Sequence, residues 1–258
     1  MFTSFEEENI AYWTNRAPGY SAVSQEELAT NQHTVWVNVL CRAISEHTPG
    51  KQPDQISVLD VGTGPGFFAI LLAERGYLVT AVDYTEAMLA QARKNAGPLA
   101  EKIAFQQMNA QELTFSEGQF DVVISRNLTW NLHDPESAYR HWVRILKKGG
   151  LLLNFDANWY SYLYDDQARQ NHMLDRNNVA QSDVRDENAG TDVDAMEAIA
   201  YQTPLAKQQR PAWDVAMLTG LGMKVTVDPD IWKQVWTREE RINNASTPMF
   251  LVRGIKAK

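Results

Sequence analysis

Residues 58–66 decide the fold, and they read Val58-Leu59-Asp60-Val61-Gly62-Thr63-Gly64-Pro65-Gly66. An apolar strand runs there into three alternate glycines, and the apolar stretch from Phe67 to Arg75 predicts a helix directly after them. A backbone that leaves a strand, turns sharply and lies against a ligand needs residues without a Cβ atom. The run therefore predicts a ligand site of the nucleotide type between a strand and a helix.

A second carboxylate follows the glycines at a spacing typical of such sites. The segment Leu78–Asp83 is a β-branched run that ends in an acid, about 20 residues after the glycines. A carboxylate has two acceptor oxygens, which match the two neighbouring hydroxyls of a ribose. Asp83 is therefore predicted to bind a ribose.

The spacing of the glycines bears on which nucleotide binds. Gly62, Gly64 and Gly66 follow G-x-G-x-G, whereas dinucleotide sites usually have G-x-G-x-x-G. Asp60 precedes them, and its negative charge suits a ligand with an ammonium group better than a phosphate. A nicotinamide dinucleotide is therefore the less favoured ligand, and a nicotinamide-dependent oxidoreductase the less favoured enzyme.

The chain resembles the class I S-adenosylmethionine-dependent methyltransferases, in particular the type 11 group with the ubiquinone and menaquinone biosynthesis enzymes. The resemblance covers roughly Trp13 to Ile255 and rests on four segments in the expected order: 58–66, 82–89, 109–113 and 120–125. It implies an enzyme of the methyltransferase class (EC 2.1.1.-) that binds S-adenosyl-L-methionine and releases S-adenosyl-L-homocysteine. A non-catalytic sensor of S-adenosylmethionine is the alternative from another class.

The resemblance also assigns residues to the methyl donor. The glycine loop would line the methionine part with Asp60 at its amino group, and Asp83 would take the ribose. Tyr84 and Met88 would flank the adenine, although ordinary packing explains both equally well. Asn109 and Ala110 would meet its edge. The predicted donor-binding residues are Tyr20, Asp60, Gly62, Thr63, Gly64, Gly66, Asp83, Tyr84, Met88, Asn109, Ala110 and Arg126.

Two of these positions need comment. Asn109 stands where the family commonly has an aspartate, and its neutral oxygen is a weaker acceptor for the adenine amino group. Tyr20 belongs to an N-terminal segment that resembles the family's short cap motif over the cofactor. In that segment Trp13 is read as a packing anchor, and Arg16 as solvated or paired with an acid.

The methyl acceptor should bind beyond the carboxyl ends of the strands. The loop 126–133 is rich in polar side chains, and His133 could act as a base or simply begin a helix. The aromatic run 158–164 could wall an apolar pocket, although such runs more often pack helices. Asn127, Asn131, Trp159 and Tyr160 are the predicted acceptor-binding residues. Methyl transfer to nitrogen or oxygen needs no metal, and none is predicted.

The alternation of strands and helices predicts a doubly wound α/β fold with a mainly parallel, seven-stranded sheet. Its last two strands should form an antiparallel closing pair. We expect an N-terminal helical cap at 1–54 and a methyltransferase core at 55–258, with an inserted lid at 156–205. The predicted strands are Ile56–Asp60, Leu78–Asp83, Ile103–Met108, Phe120–Ser125, Leu151–Phe155, Met223–Val227 and Met249–Ile255.

Composition limits the partners. The chain has 258 residues and a net charge of −8, which argues against binding to a nucleic-acid backbone. The acidic insertion is read as a solvated surface or, if it faces the site, as favouring a cationic small-molecule acceptor. The single cysteine, Cys41, rules out an internal disulfide. With no predicted signal peptide or membrane segment, a cytoplasmic location is expected.

Overall fold

The structure is a computed structural model, and it describes residues 5–257; the first residues of the predicted cap, 1–4, lie outside them. Its seven strands are β1 Ser57–Val61, β2 Leu78–Asp83, β3 Ile103–Gln107, β4 Phe120–Arg126, β5 Leu146–Asp156, β6 Met223–Asp228 and β7 Phe250–Lys256. They form one sheet in the order β3-β2-β1-β4-β5-β7-β6. The predicted seven-stranded, mainly parallel sheet is confirmed.

Neighbouring strands among β1 to β5 pair in parallel, whereas β7 is antiparallel to both β5 and β6. The predicted antiparallel closing pair is therefore present. β5 begins at Leu146 rather than at the predicted Leu151, because the chain stays paired with β4 across a shift in register near Phe120. Gly149, with a φ of 74°, lets the backbone follow that irregular path.

Ten helices surround the sheet in the described residues. They are α1 Phe5–Ala29, α2 Asn31–His47, α3 Phe67–Glu74, α4 Glu86–Ala96, α5 Pro135–Ile145, α6 Asp166–Ala180, α7 Val193–Ala200, α8 Ala212–Gly220, α9 Trp232–Val235 and α10 Arg238–Asn243. Short 3-10 turns lie at Pro53–Gln55, Gly97–Lys102, Thr129–Asn131, Ser161–Leu163 and Pro204–Lys207.

Side chains alternate between the two faces of the sheet, so that two apolar cores form. Val58 belongs to the core with α2 and α3, which is centred on Trp36 and Phe68, whereas the adjacent Leu59 belongs to the core with α5 around Trp142. This alternation is the reason that the central strands are apolar throughout. Helices on both faces confirm the doubly wound fold.

Two segments cover the carboxyl ends of the strands. α1 packs along α4, where the Ser21 hydroxyl donates to the side-chain oxygen of Asn95 at 3.2 Å. Residues 156–205 form α6 and α7, which join the loop after β4 in a third apolar cluster around Trp130. The limits of the cap and of the lid stay predictions. No helix within residues 5–257 is long and apolar enough to span a membrane.

Candidate active site

A cleft of about 840 Å³ lies at the carboxyl edge of the sheet. The loops after β1, β2, β3 and β4 line it, and α1 covers it with Phe5, Asn9, Trp13 and Tyr20. Strand order reverses between β1 and β4, and ligands of open α/β sheets bind at such a switch point. We call this cleft the first cavity.

The glycine loop after β1 takes a backbone course that other residues would strain. Gly62, Gly64 and Gly66 have φ values of 67°, 52° and 91°. A Cβ atom on Gly62 would lie 2.6 Å from the side chain of Leu128, and one on Gly66 would lie 3.0 Å from Ala92. Gly62 and Gly64 line the first cavity, whereas Gly66 turns the chain into α3 against α4.

Asp83 lies at the end of β2 and lines the first cavity. Its Oδ2 accepts from the backbone NH of Gly64 at 2.9 Å, and its Oδ1 accepts from that of Thr85 at 2.9 Å. Burial raises the pKa of Asp83 to about 6, and these bonds oppose the rise. The carboxylate is thus held next to the glycine loop, where it can still accept bonds from hydroxyls of a ligand.

Asp60 has different surroundings from Asp83. Its Oδ2 accepts from the Thr63 hydroxyl at 2.7 Å and from the backbone NH of Ala69 at 3.1 Å. Burial raises the pKa of Asp60 to about 7. Neither Asp60 nor Thr63 lines the first cavity, so both side chains brace the glycine loop against α3 from behind. A contact of Asp60 with the donor's amino group stays a prediction.

The four residues predicted around the adenine lie together on the wall of the first cavity: Tyr84, Met88, Asn109 and Ala110. Tyr84 is exposed, whereas Met88 is buried and also packs in the protein. The side-chain oxygen of Asn109 accepts from the backbone NH of Gln111 at 2.9 Å. Asn109 therefore forms the turn after β3 and faces the cavity at the same time.

Arg126 joins the first cavity to the covering helix. Its guanidinium makes two bonds of 2.8 Å to the carboxylate of Glu27, and it lies 4.7 Å from the ring centre of Phe67. Tyr20, about two turns before Glu27 on α1, lines the cavity, and burial raises its pKa. Glu27 was missed in the sequence, since a single glutamate in an exposed-looking helix has no local signal.

A second cavity, of about 1080 Å³ including its open mouth, adjoins the first. Trp13, Tyr20 and Asn127 line both, so the two cavities share one wall. Asn127 has a φ of 55°, and its buried side-chain oxygen has no hydrogen-bond partner within residues 5–257. The predicted acceptor residues Trp159 and Tyr160 lie on the second cavity.

Two other predicted residues lie on the first cavity instead. Asn131 donates through its amide to the side-chain oxygen of Asn9 at 3.1 Å, which ties α1 to the loop after β4. His133 is exposed, with its ring centre 5.1 Å from that of Phe5. Neither residue lines the second cavity. A role for His133 as the base stays a prediction, and the shape of the site does not support it.

Most acids of the acidic insertion lie on the solvated surface, which is the first of the two interpretations made from the sequence. Of its acids, Glu187 lines the second cavity, whereas Asp165, Asp166, Asp183 and Asp186 are exposed. Asp175 is buried and accepts from the backbone NH of Ser246 at 2.8 Å. The insertion is mainly a solvated surface, and a cationic acceptor stays a prediction.

A buried ionic network beneath the second cavity was not predicted. The Arg210 guanidinium donates to Asp156 at 2.7 Å and to Asp214 at 2.8 Å, and all three side chains are at most 1% exposed. Asp156 also accepts from the backbone NH of Trp130 and from the indole NH of Trp159, both at 3.0 Å. The network therefore positions two aromatic residues of the cavity wall.

The domain comparison agrees with the fold and with the cleft. Residues 59–154 match the family model described as "Methyltransferase domain". These residues therefore contain a methyltransferase domain of the type 11 family, and the chain is similar to class I S-adenosylmethionine-dependent methyltransferases. This class binds S-adenosylmethionine and its product S-adenosylhomocysteine at the carboxyl edge of the sheet, where the first cavity lies.

Similarity to individual curated proteins covers only part of the chain. The chain is 36% identical to the ubiquinone biosynthesis O-methyltransferase of Alkalilimnicola ehrlichii over 110 residues. This segment is 42% of this chain and 44% of that protein. It spans about half the length of the curated relatives it matches.

Solved structures share the fold across nearly the whole chain. The plantazolicin methyltransferase BpumL, solved with SAH and a triazolic substrate analogue, has a TM-score of 0.62 and 12% identity, over 98% of this chain and 97% of that one. A methyltransferase solved with the Trm112 activator of Haloferax volcanii has a TM-score of 0.60 and 16% identity, over 95% of this chain and 98% of that one.

Proposed function

We propose that this protein transfers the methyl group of S-adenosylmethionine to a nitrogen or oxygen atom of a small-molecule acceptor. One observation carries the proposal: the first cavity, at the glycine loop and Asp83, lies next to a second cavity lined by aromatic residues, and Trp13, Tyr20 and Asn127 line both. A donor in the first cavity and an acceptor in the second would meet at Tyr20 and Asn127. Cavities of this size suit small molecules.

The donor supplies a methyl group on a positively charged sulfur. In an in-line displacement, a lone pair of the acceptor forms the new bond to the methyl carbon while the carbon–sulfur bond breaks and its electrons remain on sulfur. The acceptor proton leaves to water. The residues of this chain align the two molecules and exclude bulk water, which accounts for most of the acceleration such a reaction needs.

Each part of the first cavity has a role in that alignment. Asp83 would accept from the ribose hydroxyls, and the backbone of Gly62 and Gly64 would lie against the methionine part. Tyr84 and Met88 would flank the adenine. α1 would close the cleft, since Trp13 and Tyr20 lie over it and the ion pair of Arg126 with Glu27 holds the helix in place. A cytoplasmic location suits a chain with one cysteine.

Calorimetric titration with S-adenosylmethionine, S-adenosylhomocysteine and NADH tests the proposal. Binding of the two adenosyl ligands without binding of NADH is the expected result. Binding of NADH alone would contradict it and favour an oxidoreductase. Formation of S-adenosylhomocysteine during turnover then separates an enzyme from a sensor, because a sensor binds the donor and transfers nothing to any amine or hydroxyl compound.

A further inference from the structure

The charged side chains on the second cavity are unevenly balanced. Arg16, Arg176 and Glu187 line it. Arg176 is neutralised by Asp186, at 2.9 Å, and it also donates to the backbone oxygen of Asn243. The remaining charges are those of Arg16 and Glu187, and their surroundings differ.

Glu187 compensates Arg16 only in part. It accepts from the side-chain amide of Asn244 at 2.8 Å, and burial raises its pKa to about 7. Its carboxyl is therefore partly protonated near neutral pH. His172, also on the cavity, stacks on Tyr162 at 4.0 Å, and burial lowers its pKa, so this imidazole is neutral there.

Arg16 has no ion pair with any residue in the range 5–257. Its guanidinium lies close to the Tyr12 hydroxyl, and it opposes the rise that burial causes in the pKa of Tyr12. Gly19 leaves room for it: Nη1 of Arg16 lies 2.6 Å from the place that a Cβ atom of Gly19 would occupy. Asp192 lies near the same hydroxyl and lines a neighbouring cavity with Arg16, but it forms no ion pair with Arg16. A half-buried cation that no carboxylate contacts directly is a binding group for an anion.

The helix sets the distance between this cation and the shared wall. Trp13, Arg16 and Tyr20 follow one another at intervals of three and four residues, so they lie on one face of α1. Arg16 and Tyr20 are one turn apart, about 6 Å along the axis. An acceptor that contacts both side chains is therefore small, such as a single substituted ring.

The walls between these two points suit such a ring. Tyr12, Trp130, Trp159, Tyr160 and Tyr162 contribute aromatic surface to the cavity. Trp130 and Tyr160 lie 4.7 Å apart between ring centres. Aromatic side chains bind planar ligands by stacking and edge contacts.

We propose that the methyl acceptor is an aromatic molecule with a carboxylate group, which Arg16 binds while the ring lies among the aromatic side chains and the nucleophilic atom points to Asn127 and Tyr20. This inference rests on the proposed function. It replaces the expectation of a cationic acceptor, and it makes Arg16 the residue that determines specificity for charge.

Three probes with one shape and three charges test it: 4-hydroxyphenylacetate, 4-hydroxyphenylacetamide and tyramine. Each is titrated calorimetrically into the protein saturated with S-adenosylhomocysteine. The anion is expected to bind about tenfold more tightly than the amide, and tyramine the most weakly. Arg16→Gln should abolish the preference for the anion, and Arg16→Lys should restore part of it. Arg169→Gln, on the exposed side of α6, is the matched control and should keep the preference.

The outcomes separate this inference from the proposed function. Failure of S-adenosylhomocysteine to bind contradicts the proposed function itself. If it binds, the inference on the acceptor is overturned by any of three results: equal or tighter binding of the amide or of tyramine, a preference for the anion that survives Arg16→Gln, or no binding of any probe. Unchanged affinity of Arg16→Gln for S-adenosylhomocysteine shows that the variant is folded, since Arg16 does not line the first cavity.

Discussion

Asp60 and Asp83 show how much the surroundings of one residue matter. Asp60 is buried and Asp83 half-buried on neighbouring parallel strands, and the loss of hydration raises the pKa of both. Asp83 faces the first cavity, whereas the bonds of Asp60 lie within the glycine loop and α3. The two carboxylates should therefore respond differently to substitution.

Asp83→Ala should weaken the binding of S-adenosylmethionine and S-adenosylhomocysteine at least tenfold. The variant removes the acceptor for the ribose hydroxyls, and hydrogen bonds to a charged group contribute about 1.5–3 kcal/mol. Calorimetry measures the change. Asp228→Ala is the control, since Asp228 also ends a strand but lies at the far edge of the sheet. Unchanged affinity in the Asp83 variant would refute the ribose assignment.

Asp60 should make the protein less stable as pH rises. The carboxyl ionises near pH 4 in the unfolded chain and near 7 in the folded one, so the folded protein binds more protons between these values. The free energy of unfolding contributed by this group therefore falls from about pH 4 to about pH 7. Urea unfolding at pH 5 and pH 8 measures the fall.

Asp60→Asn should make that fall smaller, because the amide does not titrate while its oxygen can still accept from Thr63 and Ala69. Asp83 and Glu187 titrate in the same direction and leave part of it. The exposed Asp54→Asn is the control and should leave the fall unchanged. Identical pH dependence in the wild-type protein and Asp60→Asn would show that Asp60 is ionised throughout.

At the scale of elements, a shielded ion pair ties α1 to the sheet beneath both cavities. The side chains of Arg126 and Glu27 are 15% and 11% exposed, so their ion pair is well shielded from water. The helix also packs along α4 and α7 and makes side-chain bonds to Asn95 and Asn131. The helix can therefore be loosened without a change to the sheet.

Glu27→Gln should destabilise the protein by about 3 kcal/mol, because it leaves the Arg126 guanidinium buried without a counter-charge. Donor affinity should fall as well, since α1 covers the first cavity. Chemical unfolding and calorimetry measure the two effects. Glu26→Gln is the adjacent control: its partner Arg185 and Glu26 itself are more than half exposed, and such pairs contribute at most about 1 kcal/mol. Equal losses in both variants would contradict the anchoring role.

Across the whole molecule, the Arg210 network joins parts of the chain that the fold brings together. Asp156 ends β5, Asp214 lies in α8, and Thr129, which accepts from Arg210 at 2.7 Å, follows β4. The network links the sheet to the loops around the second cavity. Its loss should therefore affect stability and acceptor binding together.

Arg210→Gln should cost about 3–5 kcal/mol of unfolding free energy, because two buried carboxylates would lose their shared cation. Denaturant unfolding measures this. In Arg238→Gln the exposed pair with Asp183 is removed, and the loss of stability should be much smaller, because water screens such a pair. A loss of similar size in the two variants would show that the network is dispensable.

Signals within one contiguous segment were read correctly from the sequence. The apolar strands, the glycine loop and Asp83 lie on one strand–turn–helix–strand unit, whose geometry is determined by residues close together in the chain. The doubly wound sheet follows from the same alternation. The start of β5 was wrong because a register shift depends on the neighbouring strand rather than on the local pattern.

The amino-acid sequence by itself determined the class of fold and the position of the donor site, since local propensity and backbone freedom are properties of short segments. Only the tertiary structure decided which side of the glycine loop Asp60 faces, and that a second cavity lies next to the first at Asn127. It also decided the pairs of Arg126 with Glu27 and of Arg210 with Asp156, whose members lie 99 and 54 residues apart in the chain. Such pairs form because packing brings distant segments together, and no pattern near either residue encodes the other.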